Sequence, residues 1–189
     1  MKKIITIIFC LLVSTTMMGQ DCLTFMGVPT EGSADEIIKQ LEDKGFKLDS
    51  SLVKYGDNWK LAFRIMRGKD IKMYGMFCGE WCTVFIQPYE FKKDDIHVKN
   101  FVVQTHRHNN ITKERAKNMY NSFKQHYNFQ TFPSLHSEVI TTILNKEGDQ
   151  IGIVSFRCTG HQVFITYNNI KKPKKTFHKC DEHCDGYWG

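Results

Sequence analysis

The chain lacks the short signatures that name an activity. No G-x-S-x-G elbow, H-E-x-x-H pair or Walker loop occurs in its 189 residues, so the familiar hydrolase and nucleotide motifs are excluded. Beyond the first residues, no segment is apolar enough to reach the roughly 20 residues that cross a bilayer as a helix. Strong charge of one sign is also missing. The formal net charge is +6, and it falls to +4 without Lys2 and Lys3. Most of that excess lies in one run, Lys171-Lys172-Pro173-Lys174-Lys175, with no aromatic residues interleaved. Nucleic acid is therefore not an expected partner. The run reads either as a solvated linker or as a contact for an anionic surface such as lipid headgroups or glycans.

What is present suits a folded domain. Hydrophobic residues reach 41% and include fourteen Phe, enough to build a core and to argue against wholesale disorder. The first residues follow a different logic. Lys2 and Lys3 precede an apolar stretch from Ile4 to Val13, and small and polar residues continue to Gly19. This predicts a cleaved signal peptide over 1–19 and an exported protein, periplasmic or extracellular. Cleavage would leave Gln20 first, a residue able to cyclise. Gly19-Gln20-Asp21 before Cys22 is wrong for a lipoprotein anchor.

Val84-Phe85-Ile86 recurs as Val163-Phe164-Ile165, a spacing of 79 that also relates Ser33 to Thr112, Asp70 to Asp149 and Phe77 to Phe156. A fixed period of this kind predicts two tandem units, 20–98 and 99–170, followed by a basic, Cys/His-containing tail over 171–189. In the first unit, Leu23 to Met26 predicts a strand and Val28 to Gly32 a turn. Ser33 and Glu36 form a capping-box pattern. Ala34, Ile37, Ile38 and Leu41 share one helical face, and Gly45 stops a helix over 33–44. Alternation at Trp59, Leu61, Phe63 and Ile65 predicts a strand over 59–66. Further strands are expected at 71–78 and 82–88, with Pro88 closing the last and a loop near 89–98 separating the units.

The second unit predicts a strand at 101–105, a polar loop 106–110 and a helix capped by Thr112. Its apolar stripe is Ala116, Met119, Tyr120, Phe123 and Tyr127. Strands near 138–145, 150–158 and 161–168 follow. The expected fold is α+β: two β-α-β-β-β repeats forming one antiparallel sheet with both helices on one face. The other face stays open.

Order, tandem duplication and size make residues 22–170 resemble the β-lactamase-inhibitor-protein-like fold, also seen in BamE-type periplasmic proteins. Phe25-Met26-Gly27-Val28-Pro29, Gly32-Ser33 and Lys44-Gly45-Phe46 also resemble uncharacterised secreted proteins of Bacteroidetes. The resemblance implies a binding surface, often for proteins, rather than catalysis. Cysteine placement departs from the inhibitor pattern, so β-lactamase inhibition is not implied.

Six cysteines remain outside the leader, an even number that favours disulfides in an exported chain. Cys78 and Cys82 flank Gly79-Glu80-Trp81 at a predicted hairpin tip. A disulfide there would clamp the tip and hold Trp81 as an interface anchor. Pairing elsewhere, for example Cys78 with Cys158, is the other structural reading. Redox chemistry at Cys78/Cys82 is the enzymatic alternative, but its spacing and its place between strands differ from the low-pKa Cys-x-x-Cys arrangement. In the tail, Cys180 and Cys184 suggest a short disulfide. With His178 and His183 they also make a metal-binding alternative, although adjacent His183 and Cys184 fit one tetrahedral centre poorly. His106 and His108 form a weaker pair, and Asn110-Ile111-Thr112 matches a glycosylation acceptor. The leading expectation is a non-catalytic, cofactor-free binding module. Trp81, Tyr89 and Phe91 would take a protein or cell-envelope ligand on the open face and hairpin tips.

Laid over one another, the two copies differ most at that tip. Cys78 faces Arg157, Trp81 faces Gly160 and Cys82 faces His161.

Overall fold

A computed structural model of the chain describes residues 22–106, 113–124, 138–145, 147–159 and 161–170. The chain enters through a hairpin, β1 (Thr24–Phe25) and β2 (Val28–Pro29). Its turn residues Met26 and Gly27 have φ of 53° and 81°, the signs that a two-residue type I′ turn demands. The hairpin buries Leu23, Phe25 and Val28. It is tied to the far end of the molecule by Asn169 Nδ2, which donates to Thr30 Oγ1 at 2.8 Å and to the Lys99 carbonyl at 2.5 Å.

A short strand, β3 (Gly32–Ser33), leads into α1 (Ala34–Asp43), whose Ala34, Ile37, Ile38 and Leu41 are buried as their spacing predicts. The expected hydroxyl cap is not made. Ser33 is the N-cap residue, but its Oγ donates to Asp95 Oδ1 at 3.1 Å, because β3 already holds Ser33 against His97. The C-terminus behaves as expected. Gly45, at φ 88°, donates to Glu42 O and Phe46 donates to Leu41 O, the paired bonds of a Schellman motif.

The start of the chain departs from the sequence expectation, because the turn falls at Met26-Gly27 and the residues expected to turn, Val28 to Gly32, supply β2 and the start of β3. Two further segments depart as well. After β4 (Lys47–Leu48) come a short helix α2 (Ser50–Val53), a 3-10 turn (Gly56–Asn58) and α3 (Trp59–Ile65). Residues 59–66 are therefore not a strand, and the first unit does not follow the β-α-β-β-β order. The alternating apolar residues do not share a buried face. Leu61 and Ile65 are 57% and 71% exposed, while Ala62 and Phe63 are buried and Trp59 packs against the core. That is the i, i+3, i+4 stripe of a helix. Polar ties hold α3 in place. Lys60 Nζ meets Asp35 Oδ2 at 2.6 Å, and the Arg64 guanidinium donates to the carbonyls of Lys92, Lys93 and Asp95.

The second of these segments concerns Pro88 and the expected loop. β5 (Ile71–Phe77) is followed by β6 (Glu80–Phe91) and β7 (Ile96–Thr105). β6 runs through Pro88, and only the residues around Lys92–Asp95 turn the chain. Two features admit the proline. The β6–β7 register shifts between Gln87 and Glu90, and β5 begins opposite Ile86, so Pro88 has no β5 partner to serve.

Helix α4 (Lys113–Lys124) then precedes β8 (Glu138–Leu144), β9 (Gln150–Cys158) and β10 (Val163–Asn169). The protein is α+β. Its main sheet is antiparallel, ordered β4-β5-β6-β7-β10-β9-β8, with β3 attached to the start of β7. β6 and β10, which carry the two Val-Phe-Ile segments, flank β7. Val103 stands opposite Val84 on one side and Ile165 on the other.

The register assigns the faces. Ile71, Met73, Val84, Ile86, Phe101, Val103, Ile165, Tyr167, Val154 and Phe156 lie on one side, and all join a single buried cluster with α1, α4 and Phe63. Tyr120 of α4 meets Phe156 edge to face, with centroids 5.2 Å apart. The opposite side has no described helix over it. Of the expected α4 stripe, Ala116, Met119 and Tyr120 are buried. Thr112, the Phe123 side chain and Tyr127 lie outside the described residues, as do the leader, His108, the acceptor Asn110 and the tail.

Candidate functional site

The face with no described helix over it follows from side-chain alternation, because each residue that points away from the helices does so on every strand of the register. Thr83 and Ser155 on this face are nonetheless buried. Across the sheet one row reads Tyr74, Thr83, Gln104, Phe164, Arg157 and Glu138. The next reads Lys72, Phe85, Val102, Thr166, Ser155 and Ile140. The central Phe of both Val-Phe-Ile segments thus belongs to this open side, while each Val and Ile is in the core. Each ring carries a cation: Lys72 Nζ lies 5.9 Å from the Phe85 centroid and the Arg157 guanidinium 4.6 Å from that of Phe164. Such contacts hold a flexible cation over an aromatic surface that a partner can share.

Trp81 crowns this face at the β5–β6 tip, 52% exposed and directly opposite exposed Met76. Its backbone is held from both sides, by β5 and by the His106 N–H, which donates to Trp81 O at 2.9 Å. His106 Nε2 lies 3.1 Å from Thr83 Oγ1, and its ring packs edge-on to Tyr74. Tyr74 Oη donates in turn to Asp49 Oδ2 at 2.8 Å. Burial, reinforced by the hydrogen bond to Asp49 and by its charge, pushes the Tyr74 phenol up to about 12. Hydrogen bonds from Ser51, and then that from Tyr74, hold Asp49 below its ordinary value against the opposing effect of burial. The group is a static polar frame. Below it, between α2, α3 and β5, lies a cavity of about 120 Å³ with Asp49, Asp70 and Lys72 in its wall.

The disulfide clamp expected at the tip is not formed. No disulfide joins any two of Cys22, Cys78, Cys82 and Cys158. Cys78 and Gly79 are themselves the two turn residues, at φ 51° and 78°, and the residue across from Cys82 is Gly75. Alternation puts the Cys82 side chain on the core side, fully buried, with Sγ donating to Glu80 O at 3.4 Å. Burial pushes this thiol up to about 12, the opposite of the lowered pKa that thiol exchange uses. Cys158 shares its row but sits three strand spacings away, about 14 Å, beyond the roughly 7 Å that a disulfide bridges. Cys180 and Cys184 lie outside the described residues.

The tip is stiffened by an ion pair instead. Glu80, 3% exposed, points to the covered side, where its Oε1 takes Arg115 of α4 at 2.5 Å. Alternate residues of one strand thus do separate jobs. Glu80 and Cys82 fasten the tip to the core, and Trp81 faces outward.

Tyr89 and Phe91 do not join Trp81. They lie eight and ten residues further along β6, Tyr89 within the bulge and Phe91 past it, about 30 Å away for Phe91. Tyr89 packs edge-on against His97, and the Arg64 guanidinium lies 5.8 Å from the Phe91 ring. Both lie at the end of β6, beside the β6–β7 turn. Phe85, Phe164, Met76 and Arg157 are the face residues that the sequence reading missed. Their signal was the period-2 alternation within Val-Phe-Ile, which separates the central Phe from its neighbours. Among the described residues, no three His, Cys, Asp or Glu side chains gather to hold a metal ion. No described helix is long and apolar enough to cross a membrane.

Comparison of the chain with protein families, curated proteins and solved structures finds no match.

Proposed function

We propose that the chain is an exported bacterial binding module, periplasmic or extracellular, that recognises a protein or cell-surface ligand without catalysis. The uncovered face around Trp81, Phe85 and Phe164 is the binding surface, with Trp81 its anchor. The carrying observation is the exposure of Trp81 on a backbone pinned from two sides. A large ring presented rigidly loses little entropy on binding and supplies much contact area. Tyr89 and Phe91 enter this proposal only as a second contact, for a ligand long enough to span β6.

The test is capture from native envelope extracts by immobilised protein. Trp81→Ala should weaken capture by about 30-fold, the loss of one hot-spot side chain. Tyr89→Ala and Phe91→Ala should cost less. Undiminished capture by Trp81→Ala, with an unchanged circular dichroism spectrum, would remove the anchor from the proposal.

A further inference from the structure

The two edges of the main sheet are finished differently. At one, β5 is met only by the two residues of β4, after which Asp49 N–H closes on Lys72 O and α2 turns the chain away. At the other, β8 presents seven residues, Glu138–Leu144. It pairs with β9 alone among the described strands. Natural edges are blunted by proline, lysine, inward charge, brevity or a bulge, and of these β8 has only a register shift against β9 at its last residues, Ile143 and Leu144. Val139, Ile140, Thr141, Thr142 and Ile143 are five β-branched residues in succession, the composition that best suits pairing. Val139 and Ile143 pack half-buried on the core, so among the described residues the apolar layer ends at this edge with both still part-exposed. On the open side Ile140 and Leu144 are 63% and 56% exposed.

We propose that the β8 edge joins two copies of this chain, antiparallel about Thr141. This is the antiparallel register that pairs all seven residues. It sets Val139 against Ile143 of the second copy on the covered side, and Ile140 against Thr142 of the second copy on the open side. Thr141 meets its own counterpart. Covered side meets covered side and open side meets open side, as a self-complementary two-fold contact requires, with the apolar match made by Val139 and Ile143. Charge selects the direction. Glu138 is the sole ionisable residue of β8, and antiparallel pairing separates the two copies of it by about 20 Å, whereas parallel pairing would place them side by side. The two open faces then lie on the same side of one continuous sheet.

Sedimentation velocity of the full chain over a wide concentration range tests this. A reversible dimer is expected. Ile140→Glu combined with Thr142→Glu sets carboxylates opposite each other across the join and should raise the dissociation constant about tenfold or more. Both sites face outward, so the fold should survive. Thr141→Cys, a nearly isosteric change, should give a disulfide-linked dimer under a mild oxidant beyond that of the parent, and Ile143→Cys should not. A monomer at every concentration overturns the proposal, even if it binds a foreign peptide. So does a dimer that ignores the double substitution and does not cross-link at position 141.

Discussion

Gly75 is the position where the core can be questioned most directly. It sits mid-strand on the covered side of β5, opposite Cys82, and the Phe46 ring lies flat against it. A Cβ at Gly75 would stand 2.6 Å from Phe46 Cδ1 and Cγ and 2.9 Å from Cε1. Carbon atoms prefer about 3.5–4.0 Å, so the ring must retreat by about 1 Å. It has little room to do so. Phe46 is buried, closes the Schellman turn of α1 and meets Phe25 edge to face at 5.9 Å. Overpacking of this kind costs about 1–3 kcal/mol, and the entropy gained by replacing a strand glycine returns about 0.5–1. Gly75→Ala should therefore destabilise by about 1 kcal/mol in urea unfolding followed by tryptophan fluorescence. Phe46→Leu removes the ring that clashes. The double variant should be more stable than the sum of the single losses predicts, by about 1 kcal/mol or more. Additivity within about 0.5 kcal/mol would refute the packing argument. Ligand capture should not change, because Gly75 is on the covered side.

Two further predictions address the departures from the sequence reading and the polar frame. Ile65→Lys should change stability by less than about 0.5 kcal/mol, while Phe63→Ala should cost about 3–5; similar losses at both positions would restore a strand with one buried face. In an alkaline titration followed by tyrosinate absorbance, one group should ionise near pH 12, well above the ordinary 10.0, and Tyr74→Phe should remove it. The sign follows from linkage. A pKa raised by folding adds stability that is intact below pH 10 and disappears as pH climbs through 12. Loss of an ionisation at the ordinary value instead would contradict the Asp49 contact.

Much of the fold is legible where one period leaves no rival. α1 has a four-residue apolar stripe and a glycine stop, and β5 and β10 alternate cleanly. Residues 59–65 fail because Trp59 and Phe63 satisfy both a two-residue and a four-residue repeat. Only the burial of Ala62, and the exposure of Leu61 and Ile65, separate the two. The tip was located correctly, but its fastening was not. Cys78-Gly79 is the small local signal of a two-residue turn, and it forces Cys82 across from Gly75 rather than Cys78. Tyr89 and Phe91 were placed with Trp81 because the bulge near Pro88 and the length of β6 depend on β7, which no local pattern encodes.

The 79-residue spacing explains where the asymmetry of the sheet resides. It relates β5–β6 to β9–β10, the hairpins on either side of β7, and it relates 59–65 to 138–144 with the same arithmetic. The first of those segments is α3 and the second is β8. In the first position the segment folds over the core, bound through Lys60 and Arg64 to α1 and the β6–β7 turn. In the second it has no such cations. It carries five β-branched residues, which favour a strand over a helix by limiting side-chain freedom in the latter. The same position along the chain therefore closes one side of the sheet and extends the other. The side that closes carries Trp81, next to a protected edge. The side that extends ends in β8, the strand at which the proposed pairing with a second copy would lie, at the opposite side of the sheet from Trp81.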